Sequence, residues 1–103
     1  MTWAVTMDLP GMPAEAYDAV HRTLLERTRG TVIDGLLVHL ARETDLGMQV
    51  TEVWRSREDF ERYERDVVRP VLGELLGPNA SPPGEPVPFE VRGLVLPVGG
   101  VAV

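Results

Sequence analysis

His39, Glu52 and Trp54 are the residues of this 103-residue chain whose types and positions lend themselves to chemistry. They fall in two β-favouring stretches, Leu36–Ala41 and Met48–Arg55. An imidazole with an ordinary pKa of about 6.5 can take or give a proton at neutral pH. Mid-strand among aliphatics, His39 is either such a base or a core or dimer-interface histidine bonded to a neighbour. Residues two apart share a face of a strand. His39 therefore goes with Leu37 and Ala41, and Trp54 with Glu52, Val50 and Met48. Trp54 can stack a flat aromatic ligand and donate one indole N–H, or simply fill the core. Glu52 can act as a base if buried, whereas at a rim it would pair with Arg55 or Arg92. The planar fork of Arg92 suits a phenolate or carboxylate, and equally a dimer contact. His21 lies on the apolar stripe of a helix and reads best as a boundary residue, though one within reach of the same pocket.

Much chemistry is excluded by composition. Cysteine is absent, which removes disulfides, thiolate zinc sites and cysteine nucleophiles. All ten basic residues are arginine, so lysine Schiff bases and a P-loop are excluded too. The two histidines show no H-x-x-x-H or H-E-x-x-H spacing, and no G-x-G-x-x-G occurs, so neither metal nor a bound cofactor is expected. The net charge of -6, with arginines interleaved among acids as in Arg57-Glu58-Asp59, disfavours nucleic acid. No run approaches the roughly 20 apolar residues of a membrane span. The opening residues lack a basic, apolar leader pattern, so the expectation is a soluble cytoplasmic protein.

The elements that must position these residues follow from periodicity and punctuation. Trp3–Asp8 reads as a strand, and Leu9-Pro10-Gly11-Met12-Pro13 ends it. Tyr17, Val20, His21 and Leu24 form one face of a helix that starts at Pro13 and is closed by Gly30. Leu36–Ala41 and Met48–Arg55 are two strands joined by the turn Glu43–Gly47. Ser56 followed by Asp59 is a helix-start signature, and Phe60, Tyr63 and Val67 give that helix its buried stripe. Pro70 should kink it before it runs on through Val71, Leu72, Leu75 and Leu76. Gly77–Pro88, with five prolines in twelve residues, reads as a loop, and Phe89–Leu96 as a last strand.

The order βαββαβ predicts an α+β, ferredoxin-like domain: a four-stranded antiparallel sheet with two helices on one face. It spans residues 1–97, with a Pro-rich loop at 77–88 and an apolar tail at 98–103. The second face would carry Leu36, Val38 and Leu40 with Leu94 and Leu96. Such a face calls for another sheet against it, and a homodimer is the simplest answer.

The stretches Gly35-Leu36-Leu37-Val38-His39, Thr51-Glu52-Val53-Trp54-Arg55-Ser56-Arg57-Glu58-Asp59-Phe60 and Arg92-Gly93-Leu94-Val95-Leu96-Pro97 resemble the antibiotic biosynthesis monooxygenase-like family of dimeric α+β barrels. The resemblance implies a pocket in each subunit between the sheet and its own helices. In the cofactor-free monooxygenases of that family the tryptophan matching Trp54 lines the pocket, as does a tyrosine matching Ala41. With the residue chemistry above, catalytic roles are expected for His39, Trp54 and Arg92, with Leu37, Val50, Glu52, Phe60, Tyr63 and His21 lining the pocket. Two departures bear on function. The haem-degrading branch uses an Asn–Trp–His set, and those positions here are Val5, Tyr63 and Leu72, which leaves iron without its axial histidine. The pocket asparagine and helical tyrosine of the oxygenases match Val50 and Phe60. The implied activity is cofactor-independent monooxygenation, begun by proton abstraction from an aromatic or polyketide-like molecule of secondary metabolism. The same pocket would also suit a cyclase, isomerase or decarboxylase, or a non-catalytic ligand-binding dimer.

Overall fold

Proline, glycine and one serine decide where the elements begin. Pro13 cannot donate a backbone N–H, and its carbonyl accepts from Ala16 and Tyr17 at 3.0 and 3.1 Å to open the first helix. Ser56, in an extended conformation, accepts the Asp59 N–H on its hydroxyl at 3.2 Å and starts the second. In this computed structural model, which describes residues 2–28, 33–77 and 84–96, the chain runs β1 (Trp3–Pro10), α1 (Ala14–Thr28), β2 (Leu36–Thr44), β3 (Gly47–Trp54), α2 (Arg57–Tyr63), a π-helical turn (Glu64–Val68), α3 (Arg69–Leu76) and β4 (Val87–Glu90). The four strands form one antiparallel sheet in the order β2-β3-β1-β4, the ferredoxin-like arrangement expected from the βαββαβ pattern. No helix among the described residues is long and apolar enough to cross a membrane.

Instead of a sharp kink at Pro70, the second helix takes up the proline through a π-helical turn. Pro70 stands in the first turn of α3, where it has no N–H to give back along the helix. The turn from Glu64 to Val68 just before it widens the backbone spiral, and α2, the π turn and α3 run on without leaving helical dihedrals.

One face of the sheet is covered by these helices. Val5, Trp54 and Phe60 form its buried cluster, with Trp3, Met7, Ile33, Leu36 and Tyr63 packed around them. The register sets Val5 opposite Glu52, and Glu52 opposite His39, so all three share that face. On the other face Leu40, Val87 and Phe89 stand 61%, 62% and 43% exposed.

Three sequence expectations need correction. The last strand is Val87–Glu90, not Phe89–Leu96. Val87 and Pro88, expected in the loop, pair with Thr6 and Val5, because an edge strand tolerates a proline. Leu94 and Leu96 lie beyond the sheet. A β-bulge between Leu36 and Val38 sets Leu36 opposite Trp54 and Val38 opposite Val53, which turns Leu36 to the helix side and leaves Val38 on the other. The hairpin turn is also tighter than expected: Thr44 pairs with Gly47, and only Asp45 and Leu46 lie between them. Residues 78–83 of the Pro-rich segment, Gly30 and the tail 98–103 lie outside the described residues.

Candidate active site

The site is built around one buried carboxylate. Glu52 is 5% exposed, in the middle of β3. Its Oε1 accepts the indole N–H of Trp54, two residues along the same strand face, at 3.1 Å. Its Oε2 lies 2.6 Å from Nδ1 of His39, directly across the ladder on β2. The other ring nitrogen of His39, Nε2, lies 2.7 Å from the hydroxyl of Tyr17 on α1. Tyr17, His39, Glu52 and Trp54 thus form a continuous hydrogen-bonded chain from the first helix through the sheet.

Chemistry fixes the direction of this chain. An indole N–H can only donate, and an ionised carboxylate can only accept. In neutral His39 the proton therefore sits on Nδ1, toward Glu52, and Nε2 presents its lone pair to the Tyr17 hydroxyl. Burial, and then the negative charges of Glu52 and Asp18, push the Tyr17 phenol up to about 12, so it stays a donor. The result is an imidazole held in the tautomer a base requires, with a carboxylate behind it.

Aromatic packing holds the ring in place. Tyr17 and His21 are one helical turn apart on α1, and both lie nearly parallel to His39, with His21 to His39 at 5.3 Å between centroids and 10° between planes. His39 lies on an edge strand, and its side chain is 26% exposed. Trp54, at 0% exposure, meets Phe60 edge-on at 5.9 Å and Tyr63 at 5.5 Å, which form the wall supplied by the second helix.

His39, Glu52, Trp54, Phe60, Tyr63 and His21 are therefore brought together, with Val50 on the same face one step along β3. Glu52 takes His39 and Trp54 as partners, and Arg55 pairs with Asp34 instead. Arg92 and Leu37 stand apart. Arg92 follows β4, at the opposite edge of the sheet from His39, three strand spacings or about 14 Å away. It lines an open groove with Trp3, Arg57, Phe89 and Glu90. Leu37 is the extra residue of the bulge and is 38% exposed.

Sequence reasoning missed two partly buried polar groups on the helices, of which Tyr17 joins the hydrogen-bonded chain. Tyr17 was legible only as a helix-stripe residue. Glu64 opens the π turn, and its signal was a charge on an apolar stripe, four residues after Phe60 and one after Tyr63. Burial, with the charge of Glu52 adding to it against an opposing effect of Arg69, raises the Glu64 carboxyl to about 7. Burial and the same Glu52 charge raise the Tyr63 phenol to about 12. Among the described residues no group of three or more His, Asp or Glu side chains is placed to hold a metal ion.

The fold is that of the antibiotic biosynthesis monooxygenase-like proteins. A candidate antibiotic biosynthesis monooxygenase from Deinococcus radiodurans superposes with a TM-score of 0.59, at 19% identity over 96% of this chain and 100% of that one. SnoaB, a cofactor-independent oxygenase from Streptomyces nogalater, gives 0.56 at 19% identity, over 91% of this chain and 95% of that one. A protein of unknown function from Nitrosomonas europaea, NE2512, gives 0.63 at 15% identity, over 95% and 96%. At these identities the likeness is one of fold. No protein-family model matches the chain, and none of the curated proteins matches it either.

Proposed function

We propose that this chain is a cytoplasmic, cofactor-independent monooxygenase acting on a flat aromatic or polyketide-like molecule of secondary metabolism. The observation that carries the proposal is His39, locked between Glu52 at 2.6 Å and Tyr17 at 2.7 Å in the tautomer that leaves Nε2 basic. Once the Tyr17 hydroxyl turns aside from Nε2, His39 removes a proton from an acidic C–H of the substrate, and the electron pair left behind delocalises into the ring system. That electron-rich anion reduces dioxygen. One oxygen atom ends in the new carbonyl and the other leaves as water, so a CH₂ and O₂ become a C=O and H₂O. Glu52 orients the imidazole and balances the charge it gains, as an adjacent carboxylate does for a general base. The partly buried Tyr63 offers a flat surface against which an aromatic ring packs, and the fully buried Trp54 backs it and holds Glu52. The likeness of fold to SnoaB supports the oxygenase reading over other proton-transfer chemistry.

The functional unit is a homodimer joined through the uncovered sheet face. Leu40, Val87 and Phe89 support this, since exposed large apolar side chains on an open sheet face are covered when another sheet packs against it.

Anthrone, a flat tricyclic ketone with an acidic CH₂, is the probe. Oxygen uptake and quinone formation by the wild type, with His39→Ala lowering kcat by roughly 10²–10⁴-fold in a protein that still folds, is the expected result. A destabilised His39→Ala protein with full activity per folded molecule would make His39 structural. Anthrone binding without turnover by the wild type would leave a ligand-binding protein. Anaerobic exchange of the CH₂ hydrogens with solvent, without oxidation in air, would move the chain to the isomerases or cyclases.

A further inference from the structure

Both ring nitrogens of His39 are taken. Nδ1 lies 2.6 Å from Glu52 and Nε2 lies 2.7 Å from the Tyr17 hydroxyl, so the basic lone pair is covered before any substrate arrives. The cover is well aimed. The Tyr17 and His39 planes differ by 7° and their centroids are 6.3 Å apart, close to the longest separation that a 2.7 Å bond between these two atoms allows. The rings therefore meet edge to edge, with the phenolic O–H pointing along the Nε2 lone pair. His21, one turn further along α1, lies 5.4 Å from Tyr17 and 5.3 Å from His39, nearly parallel to both, and braces the pair from one side.

Of the three bonds that link Tyr17 to Trp54, the Tyr17 bond is the one free to open. Trp54 is 0% and Glu52 5% exposed, and the Glu52–His39 bond crosses the ladder between paired residues. Tyr17 is only partly buried, His39 is 26% exposed, and among the described residues the Tyr17 hydroxyl bonds nothing else. Water can replace both halves of this bond, so parting them costs one net hydrogen bond and strands no polar group. Burial, and then the charges of Glu52 and Asp18, hold the phenol at about 12, so the cover is present throughout the neutral range.

We propose that Tyr17 is a positioning residue that sets the affinity of the site: its hydroxyl covers the base at rest, and substrate binds productively only to molecules in which the phenol has left Nε2. The inference rests on the reading of His39 as the base. No proton passes between the two residues, since the phenol keeps its own and turns away with it. His39 is left with the Nδ1–H tautomer held by Glu52 and a free lone pair on Nε2. The apparent dissociation constant is the intrinsic one divided by the uncovered fraction. One net hydrogen bond leaves roughly a third to a tenth of the molecules uncovered, which weakens binding about 3–10-fold.

The test compares wild type with Tyr17→Phe, which keeps the ring and removes only the hydroxyl. Diethyl pyrocarbonate, which acylates an uncovered imidazole nitrogen, is the first probe, with peptide masses separating His39 from His21. His39 should react about 3–10-fold faster in Tyr17→Phe. With anthrone, kcat/KM should rise by the same factor, through a lower KM. Equal acylation of His39 in the two proteins overturns the inference, whether or not anthrone is turned over. A kcat lowered about tenfold or more at unchanged KM overturns it too, since Tyr17 would then act in the proton transfer itself. Faster acylation of His39 in Tyr17→Phe, beside no anthrone turnover by either protein, upholds the cover and removes the oxygenase reading alone.

Discussion

Replacing Glu52 by glutamine changes one oxygen to an NH₂ and should reverse the whole hydrogen-bonded chain. Two donors converge on Glu52, the Trp54 N–H at 3.1 Å and the His39 Nδ1–H at 2.6 Å. Glutamine offers only one acceptor. The indole can do nothing but donate, so the amide oxygen stays on Trp54 and the NH₂ turns to His39. His39 then accepts at Nδ1 and carries its proton on Nε2, where it donates to the Tyr17 hydroxyl. All the bonds are remade, and the side chain keeps its shape in a site only 5% exposed. Two charge-assisted bonds are exchanged for neutral ones, offset in part by the smaller desolvation penalty of an amide, for a net loss of about 1–2 kcal/mol. Turnover should suffer far more, by roughly 10²–10⁴-fold, since the lone pair on Nε2 is gone. Nitrogen-15 imidazole shifts report the tautomer directly, and anthrone oxidation reports the activity. The Tyr17 phenol, followed by ultraviolet absorbance at high pH, should fall only partway from about 12, because burial outweighs the Glu52 charge. Wild-type turnover in a Glu52→Gln protein, or an Nδ1–H tautomer persisting in it, would refute the reasoning.

Trp54→Phe keeps much of the buried ring and loses the donor to Glu52. It should cost about 2 kcal/mol in urea denaturation, since a fully buried ring shrinks and Glu52 loses a donor; an unchanged urea midpoint would count against this. Gly35→Ala should destabilise by about 2 kcal/mol or more, since φ is +86° there and a Cβ would come within 2.5 Å of the Asp59 carboxyl; an unchanged urea midpoint would contradict this. Light scattering should return a dimer, and Leu40→Arg with Phe89→Arg should return a monomer. A wild-type monomer at micromolar concentration would remove the homodimer.

Local signals made most of the frame legible. The serine cap at Ser56, the proline at Pro13 and the alternation in β3 each act within a few residues, and they located α2, α1 and the strand that carries Glu52 and Trp54. Where hydrophobicity and pairing disagreed, the sequence misled. Gly93–Leu96 is apolar yet outside the sheet, while Val87-Pro88, which looks like a breaker, pairs with β1. The bulge at Leu36/Val38 could not be foreseen either, because parity counting assumes an unbroken ladder. His39 and Glu52 were within reach, since a hairpin register relates them. Tyr17 and Glu64 were not, because they meet the sheet from two helices and nothing in one dimension sets that approach. Arg92 was placed at the site by the chemistry of its planar fork, which says nothing of position, and the strand order separates it from His39.

The two borders of the sheet are both poor templates for a further strand. On β2 the bulge shifts the row of free backbone groups, and Arg42 and Glu43 add charge near its far end. On the opposite border β4 has only four residues, and one of them, Pro88, has no N–H to offer. Ribbon-like growth, in which copies extend one another's sheet sideways, is thereby disfavoured at each end. The proposed pairing through the flat of the sheet would close after two copies and leave nothing to propagate.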